Sequence, residues 1–486
     1  MPTLAFSRFT RIAASRFTQQ SWLRVAFLGL LAVVLLITSV KYAAKVAKPA
    51  DNGEQSRSAF LRWRTMVRDV FTGTNIYVGK NEYPNPPVMA IILRPFVELP
   101  PVVGAMTWFY TKVLMAVLAA LWCFRLVRPN PPTPFPAREG GARQPAERLS
   151  SSPPALGEGL REGFSSSLAD IAKAAAILLA LPSLMGDLTH NNVNIFILFL
   201  VAGCLELYRR GRDTASGLVL GLAIACKVTP LLFLAFFVWK RAGRVVYGCA
   251  MGLVLWLALV PGAVFGWDRN AELLTDWYKL MVERPVLKGE ITTEHPNQSI
   301  VGFVYRLGTH SPSFIDYEQT PEGDIPVPAA YHNLCDIGRP AAWVVVKLFT
   351  LAFAVAIMVL CRSPRSEREG WRFTAECGLI VLAMLLLSER TWKHHAVVLL
   401  LPAAVLTLAA AFELKDRSRR FVVGSLVAAA ALMTLPGLFG PRASDLAMVY
   451  GTHTFAFGLF TLALCVVLAQ PRDRLERKET GSLVPG

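Results

Sequence analysis

The sequence predicts an all-α polytopic membrane protein, and three observations carry that reading. Hydrophobic residues fill 53% of the 486 positions and charged ones only 17%, whereas a soluble chain carries about a quarter. Several apolar runs reach about 20 residues, the length that crosses a hydrocarbon core roughly 30 Å thick at 1.5 Å per residue. Lys and Arg gather in the segments between those runs, where they set orientation. That placement also removes the nucleic-acid reading that a net charge of +16 invites. No basic patch with interleaved aromatics stands clear of the membrane flanks.

In chain order, residues 1–21 form a basic N-terminus with Arg8, Arg11 and Arg16 and no acidic residue. Residues 25–44 make too long a run for the apolar core of a signal peptide and lack a small-residue cleavage site. They read as an uncleaved first span, opening a unit of first helices over 22–127. Residues 128–167, rich in Pro, Gly, Ser, Arg and Glu, are expected to be a disordered insert because they hold too few bulky apolar residues for a core. The main bundle is placed at 168–470, with a large loop at 267–340, and 471–486 form a tail.

Apolar segments centre on 22–44, 87–99, 101–127, 168–186, 193–208, 214–226, 229–239, 245–266, 341–361, 372–388, 394–413, 421–440 and 453–470. The pairs 87–99 with 101–127, and 214–226 with 229–239, contain members too short to span alone. They read as Pro-broken half-helices or a re-entrant hairpin, features that persist only where they are buried or line a cavity. About 10–13 transmembrane or half-spanning helices are expected. The basic segments all fit on one side, which the positive-inside rule makes the cytoplasm. Both termini then lie inside a multi-pass plasma-membrane protein.

Eight cysteines are present. Only Cys335 lies in a long polar loop, so no disulfide framework forms in the loops, and no Cys/His spacing suits zinc. No metal or other cofactor is expected. All seven histidines (His190, His295, His310, His332, His394, His395 and His453) fall on the outer side, as an interfacial site would need.

In the first outer loop, Phe60, Trp63, Val67, Val70 and Phe71 recur at helical spacing, with Arg62, Arg64, Arg68 and Asp69 mainly on the other face. This predicts an amphipathic helix lying in the headgroup plane, aromatics down. Four outer clusters carry candidate chemistry. Asp69 precedes Gly73-Thr74-Asn75-Ile76-Tyr77. Asp187 through His190, Asn192 and Asn194 stand at a span mouth. Glu294-His295-Pro296-Asn297-Gln298-Ser299 precede Arg306. Glu389-Arg390-Thr391-Trp392-Lys393-His394-His395 stand at another mouth. Asn297-Gln298-Ser299 is also an N-glycosylation sequon.

These elements appear in a specific order. Gly73-x-Asn75-x-Tyr77 is followed by Tyr83-Pro84-x-Pro86-Pro87, then Asn191-x-x-Asn194, Lys227 near Pro230, Asn297-Gln298-Ser299 with Arg306, and Trp392-x-His394-His395. The pattern resembles glycosyltransferase family 87, the polyprenol-phosphate-sugar-dependent transferases of the GT-C type, over residues 22–470. The resemblance implies a GT-C-like bundle and a metal-independent, inverting hexosyl transfer, with mannose the sugar by family analogy. Its partners would be a polyprenyl-phosphate sugar donor, a lipid or glycan acceptor, and membrane lipids. Members usually carry an Asp about fourteen residues before the loop glycine, regarded as the base, and here that position is Ala59.

Such chemistry needs cations or imidazoles on the leaving phosphate and a carboxylate to take the acceptor proton. Asp69, Asp187 and Glu294 are the candidate bases. Arg62, Arg68, His190, Asn192, Asn194, Lys227, His295, Asn297, Gln298, Arg306, Trp392, His394 and His395 are the candidate substrate contacts. The rival reading is a transporter or flippase of a lipid-linked or anionic substrate, which also uses broken helices and buried cations. It would normally show internal repeats, and none is evident.

Overall fold

A computed structural model describes residues 3–48, 58–79, 82–127, 156–287, 289–320 and 323–471. The elements are α1 (Thr3–Ala47), α2 (Ala59–Asp69) with a 3-10 turn at Val70–Thr72, α3 (Pro87–Val97) and α4 (Pro101–Val127). Then come α5 (Leu156–His190), α6 (Asn194–Arg209), α7 (Asp213–Cys226), α8 (Leu231–Trp239) and α9 (Gly243–Leu253). A π-helical stretch, Val254–Leu259, leads into α10 (Val260–Phe265), and α11 (Trp267–Tyr278) runs into a second, Lys279–Leu287. After α12 (Ile300–Gly308) follow β1 (Pro312–Thr320), β2 (Gly323–Tyr331), α13 (Gly338–Leu360) and α14 (Trp371–Leu386). A 3-10 segment, Lys393–Leu399, opens α15 (Leu400–Phe412), and α16 (Asp416–Leu438), α17 (Pro441–Val449) and α18 (Thr452–Leu468) complete the bundle.

Seven helical stretches among the described residues are long and apolar enough to span: Trp22–Ala47, Pro101–Val127, Ser167–His190, Gly243–Phe265, Gly338–Leu360, Lys393–Phe412 and Asp416–Leu438. α17 and α18 add an eighth if their 60° bend is one broken span. Short apolar helices α3 and α7 are the expected half-helices, with α8 following α7 after the break at residues 227–230. The polytopic helical fold therefore stands. Burial orders the bundle: 78% of the Lys393–Phe412 window is buried but only 6% of the Gly338–Leu360 window. The first is the central span, and the second turns most of its surface outward.

Two expectations change. The aromatic face of α2 packs on protein rather than lipid, since Phe60 and Val67 are wholly buried and Trp63 meets Tyr83 edge-on at 5.8 Å. The long loop 267–340 is ordered as α11, α12 and an antiparallel hairpin, β1 paired with β2. This hairpin is the only sheet among the described residues. The expected insert falls mostly on residues 128–155, outside the described residues, and its last twelve residues already belong to α5.

The alternation of segments is visible as two ends of one bundle. At one end Glu206 pairs with Arg209 and Arg210 at 2.7 Å each, Arg209 reaches Glu369, and Arg368 pairs with Asp213. Buried Lys240 meets Glu376 at 2.6 Å beside Ser363. At the other end Asn75 binds Glu272 and Asp276, Asn297 binds the Glu389 carbonyl, and Gln298 binds that of Met448. α6 and α14 each run from one group to the other.

Candidate active site

The site grows from the reversal between α5 and α6. Asn191 adopts φ 57°, a left-handed conformation that Asn tolerates better than most residues, and the chain turns there within four residues. Its amide donates to Tyr42 Oη at 2.7 Å and to the Ala105 carbonyl at 3.1 Å. The reversal is thereby tied to α1 and α4.

Beneath it lies a wholly buried ion pair. Lys112 and Asp187 are both 0% exposed and 3.1 Å apart. Lys112 Nζ also donates to the carbonyls of Asp187 at 3.0 Å and Asn192 at 2.9 Å. Asp187 Oδ1 accepts from Asn194 Nδ2 at 2.9 Å, and Oδ2 accepts a long contact from Ile195 N at 3.4 Å. Asn194 Oδ1 in turn accepts from Lys227 Nζ at 2.6 Å. Lys227 occupies the extended residue that follows α7, where the break between half-helices frees its backbone from helical geometry.

Lys227 faces a small, partly open pocket lined by Asn194, Ile197, Thr229, Met384, Leu385, Ser388, His395 and Val398 as well. Next to it stands an imidazole group. His190 stacks on His394 with centroids 4.7 Å apart, His394 meets His395 at 4.9 Å, and Trp392 lies edge-on to His394 at 5.8 Å. Asn192 Nδ2 approaches His394 Nε2 at 3.3 Å. Asp187, His190, Asn192, Asn194, Lys227, Trp392, His394 and His395 thus form one constellation drawn from two span mouths and the α7–α8 break. Arg62 borders it from α2, its charge acting on His190. Its Nε is buried without a hydrogen-bond partner, and burial draws its guanidinium below the ordinary value.

The other candidates lie elsewhere. Asp69 is exposed, and among the described residues its carbonyl accepts from Thr72 Oγ1 and Thr74 N. Arg68 turns to Glu98 at 3.6 Å. Asn297, Gln298 and Arg306, expected to bind substrate, are 0% exposed and committed to the protein itself. Arg306 donates to the carbonyls of Thr293, Glu294, Asn297, Met448 and Val449. Burial brings its pKa down to about 10, which leaves it charged at neutral pH. Asn297 spans Thr292 and Glu389 carbonyls and accepts from Thr391 N. Half-buried Glu294 gives its carbonyl to Arg306, and His295 packs on Phe314.

Two functional candidates escaped the sequence reading. Lys112 was visible as a lone cation well inside a 27-residue apolar helix, a placement that is expensive and calls for a partner. Glu389 begins the fourth cluster. Its carboxylate is loosely held, at 3.5 Å from Thr292 Oγ1 and 3.8 Å from Arg390, and burial pushes its pKa up. A half-buried, raised carboxylate beside a pocket-lining residue suits proton transfer near neutral pH.

Among known proteins, the chain is 26% identical over 267 residues to the polyprenol-phosphate-mannose-dependent alpha-(1-2)-phosphatidylinositol mannoside mannosyltransferase of Mycolicibacterium smegmatis, covering 54% of this chain and 51% of that one. The protein of the same description from Mycobacterium tuberculosis is 24% identical over 236 residues, covering 47% and 46%. The chain spans about half the length of the curated relatives it matches. A crystal structure of ArnT from Cupriavidus metallidurans in the apo state aligns with 91% of this chain and 77% of that one, at 13% identity and a TM-score of 0.36, a likeness too loose to build on. The family model of glycosyltransferase family 87 matches residues 83–389, from the Tyr83-Pro84 entry to Glu389 and through both arms of the α5–α6 reversal. With most of its length so matched, this chain belongs to glycosyltransferase family 87.

Proposed function

We propose that this chain is an integral membrane hexosyltransferase that moves mannose from a polyprenyl-phosphate carrier to a lipid or glycan acceptor at the outer face, by inverting direct displacement. Membership of the family supports the reaction class, and the descriptions of the two mycobacterial relatives support the donor and point to a lipid-linked mannoside as the acceptor class. The single observation that carries the reading is the pocket wall, where Lys227 and His395 stand together beside the stacked His190–His394 pair. A cation and imidazole N–H groups suit the charge that builds on phosphate as the sugar leaves. Asn194 and Trp392 suit sugar hydroxyls and a sugar face.

In direct displacement, the acceptor oxygen attacks the anomeric carbon opposite the departing phosphate while a carboxylate takes its proton. Asp187 is a poor base because Lys112, Asn194 and Ile195 already occupy its oxygens. Asp69 is exposed away from the constellation. Glu389 is the better candidate, followed by Glu294, whose 292–297 turn is outside the constellation but binds Glu389 directly. The buried Lys112–Asp187 pair would also suit a transporter of an anionic lipid, and turnover separates the two readings. Purified protein with labelled polyprenyl-phosphate sugars and a membrane lipid extract should yield a mannosylated lipid. Glu389→Gln or Glu294→Gln should lower turnover at least about a hundredfold with donor binding nearly intact. Absence of transfer from every donor would remove the transferase reading, and normal turnover in both variants would remove the carboxylate mechanism.

A further inference from the structure

We infer that Lys112, which cannot touch any ligand, is a positioning residue that keeps Lys227 available to an anion in the pocket. The inference rests on the proposed binding of a lipid phosphate there. The order of charges is the argument. Asn194 lies between a carboxylate and an ammonium, and its amide has one orientation that suits both: N–H toward Asp187, which only accepts, and C=O toward Lys227, which only donates. The contacts of 2.9 and 2.6 Å fit that orientation.

Lys112 then does two things. It offsets the charge of Asp187 at 3.1 Å, which otherwise acts on Lys227. It also pins the reversal by holding the Asp187 and Asn192 carbonyls. The Lys112–Asp187 pair is neutral as a unit, and the charge left over at the pocket wall is that of Lys227. Without Lys112, Asp187 would turn its charge on Lys227, and the pocket would lose its affinity for anions.

The test is a double-mutant cycle on the full-length protein in detergent, read as binding of a short-chain polyprenyl monophosphate and as thermal unfolding. Lys227→Met and Asn194→Ala should each weaken binding by about tenfold or more, since each removes or misdirects a charged hydrogen-bond donor. In the Lys227→Met background, Asn194→Ala should change binding less than about twofold, because the relay then has nothing to position. Lys112→Met alone leaves a buried carboxylate unpaired and is a poor test if it fails to fold. Lys112→Met with Asp187→Asn removes both charges, leaves no carboxylate to claim Lys227, and should recover both thermal stability and phosphate affinity to within about threefold.

Additive losses in the cycle, or phosphate affinity still lost in a neutral double variant that melts like the wild type, would reduce Lys112 to a packing role and overturn the inference. A wild-type protein that does not bind polyprenyl monophosphate at all would instead overturn the underlying donor reading.

Discussion

His295 holds the β-hairpin against the bundle. Its ring lies on Phe314 at 4.4 Å, Nδ1 meets the Ser313 carbonyl at 3.3 Å, and Nε2 stands 3.6 Å from Asp445 on α17. Burial lowers its pKa, with Arg306 and Lys393 adding to the effect and Asp445 and the Ser313 carbonyl opposing it. A histidine lowered on folding binds fewer protons than in the unfolded chain, so its contribution is full above about pH 6.5 and is lost as pH falls toward the folded value. Thermal unfolding should therefore move down between pH 7.5 and 5.5, and His295→Gln should show a smaller shift; an equal shift would remove His295 from the account. At this scale the sequence was legible in part. Adjacent His394 and His395 at a membrane mouth called for partners, and His190 supplies one by stacking on His394. Asn297, Gln298 and Arg306 were ambiguous in the sequence, because a polar motif that satisfies buried carbonyls, as these do, has the same composition as one that binds a sugar. Burial of Asn297 also closes the sequon to modification in the folded chain.

Among the elements, α7 and α9 approach one another backbone to backbone. Gly217 and Gly221 on one face Gly248 and Gly252 on the other, and a Cβ at Gly217 would lie 2.1 Å from the Val245 carbonyl oxygen. Small residues four apart allow such an approach. Gly217→Ala should force the helices apart and cost about 1–3 kcal/mol. Gly424→Ala on α16, where a Cβ meets nothing within 4 Å, should gain up to about 1 kcal/mol from helix propensity. Detergent-resistant melting temperatures compare the two, and equal effects would show that the glycine face is not what holds α7 to α9. The spacing of Phe60, Trp63 and Val67 revealed α2 as a helix but not its partner. A helical apolar stripe reads the same whether lipid or protein covers it, and only tertiary contact with Tyr83 distinguishes them. The hairpin was hidden for a related reason. Residues 312–331 carry Pro312, Pro321, Pro326 and Pro328, a loop-like composition in which the strand period is faint.

For the whole molecule, the Lys and Arg pattern was the most informative signal. It assigned segments to two sides, and the ion pairs at 206–213, 240 and 361–376 do gather at one end of the bundle, with the histidine-bearing mouths at the other. Which end faces the cytoplasm is carried by the positive-inside rule alone. A reporter fused after Arg420 should read cytoplasmic and one inserted near Gly323 external. Reports from the same side would separate the mouths and dissolve the common site.

The Lys112–Asp187 pair has a consequence for how the chain enters the bilayer. A Lys near the centre of a span disfavours insertion by about 3 kcal/mol, and α4 carries one in Lys112, whose partner Asp187 lies three residues before the end of α5. Paired, the two charges cancel and their polar atoms are occupied. Partitioning is then most favourable when the two helices leave the translocon together rather than one after the other. The stretch between them, residues 128–155, is long enough for α4 to wait until α5 has been synthesised. Assembly of the first half of the bundle becomes a cotranslational meeting of one reluctant segment with the helix that neutralises it.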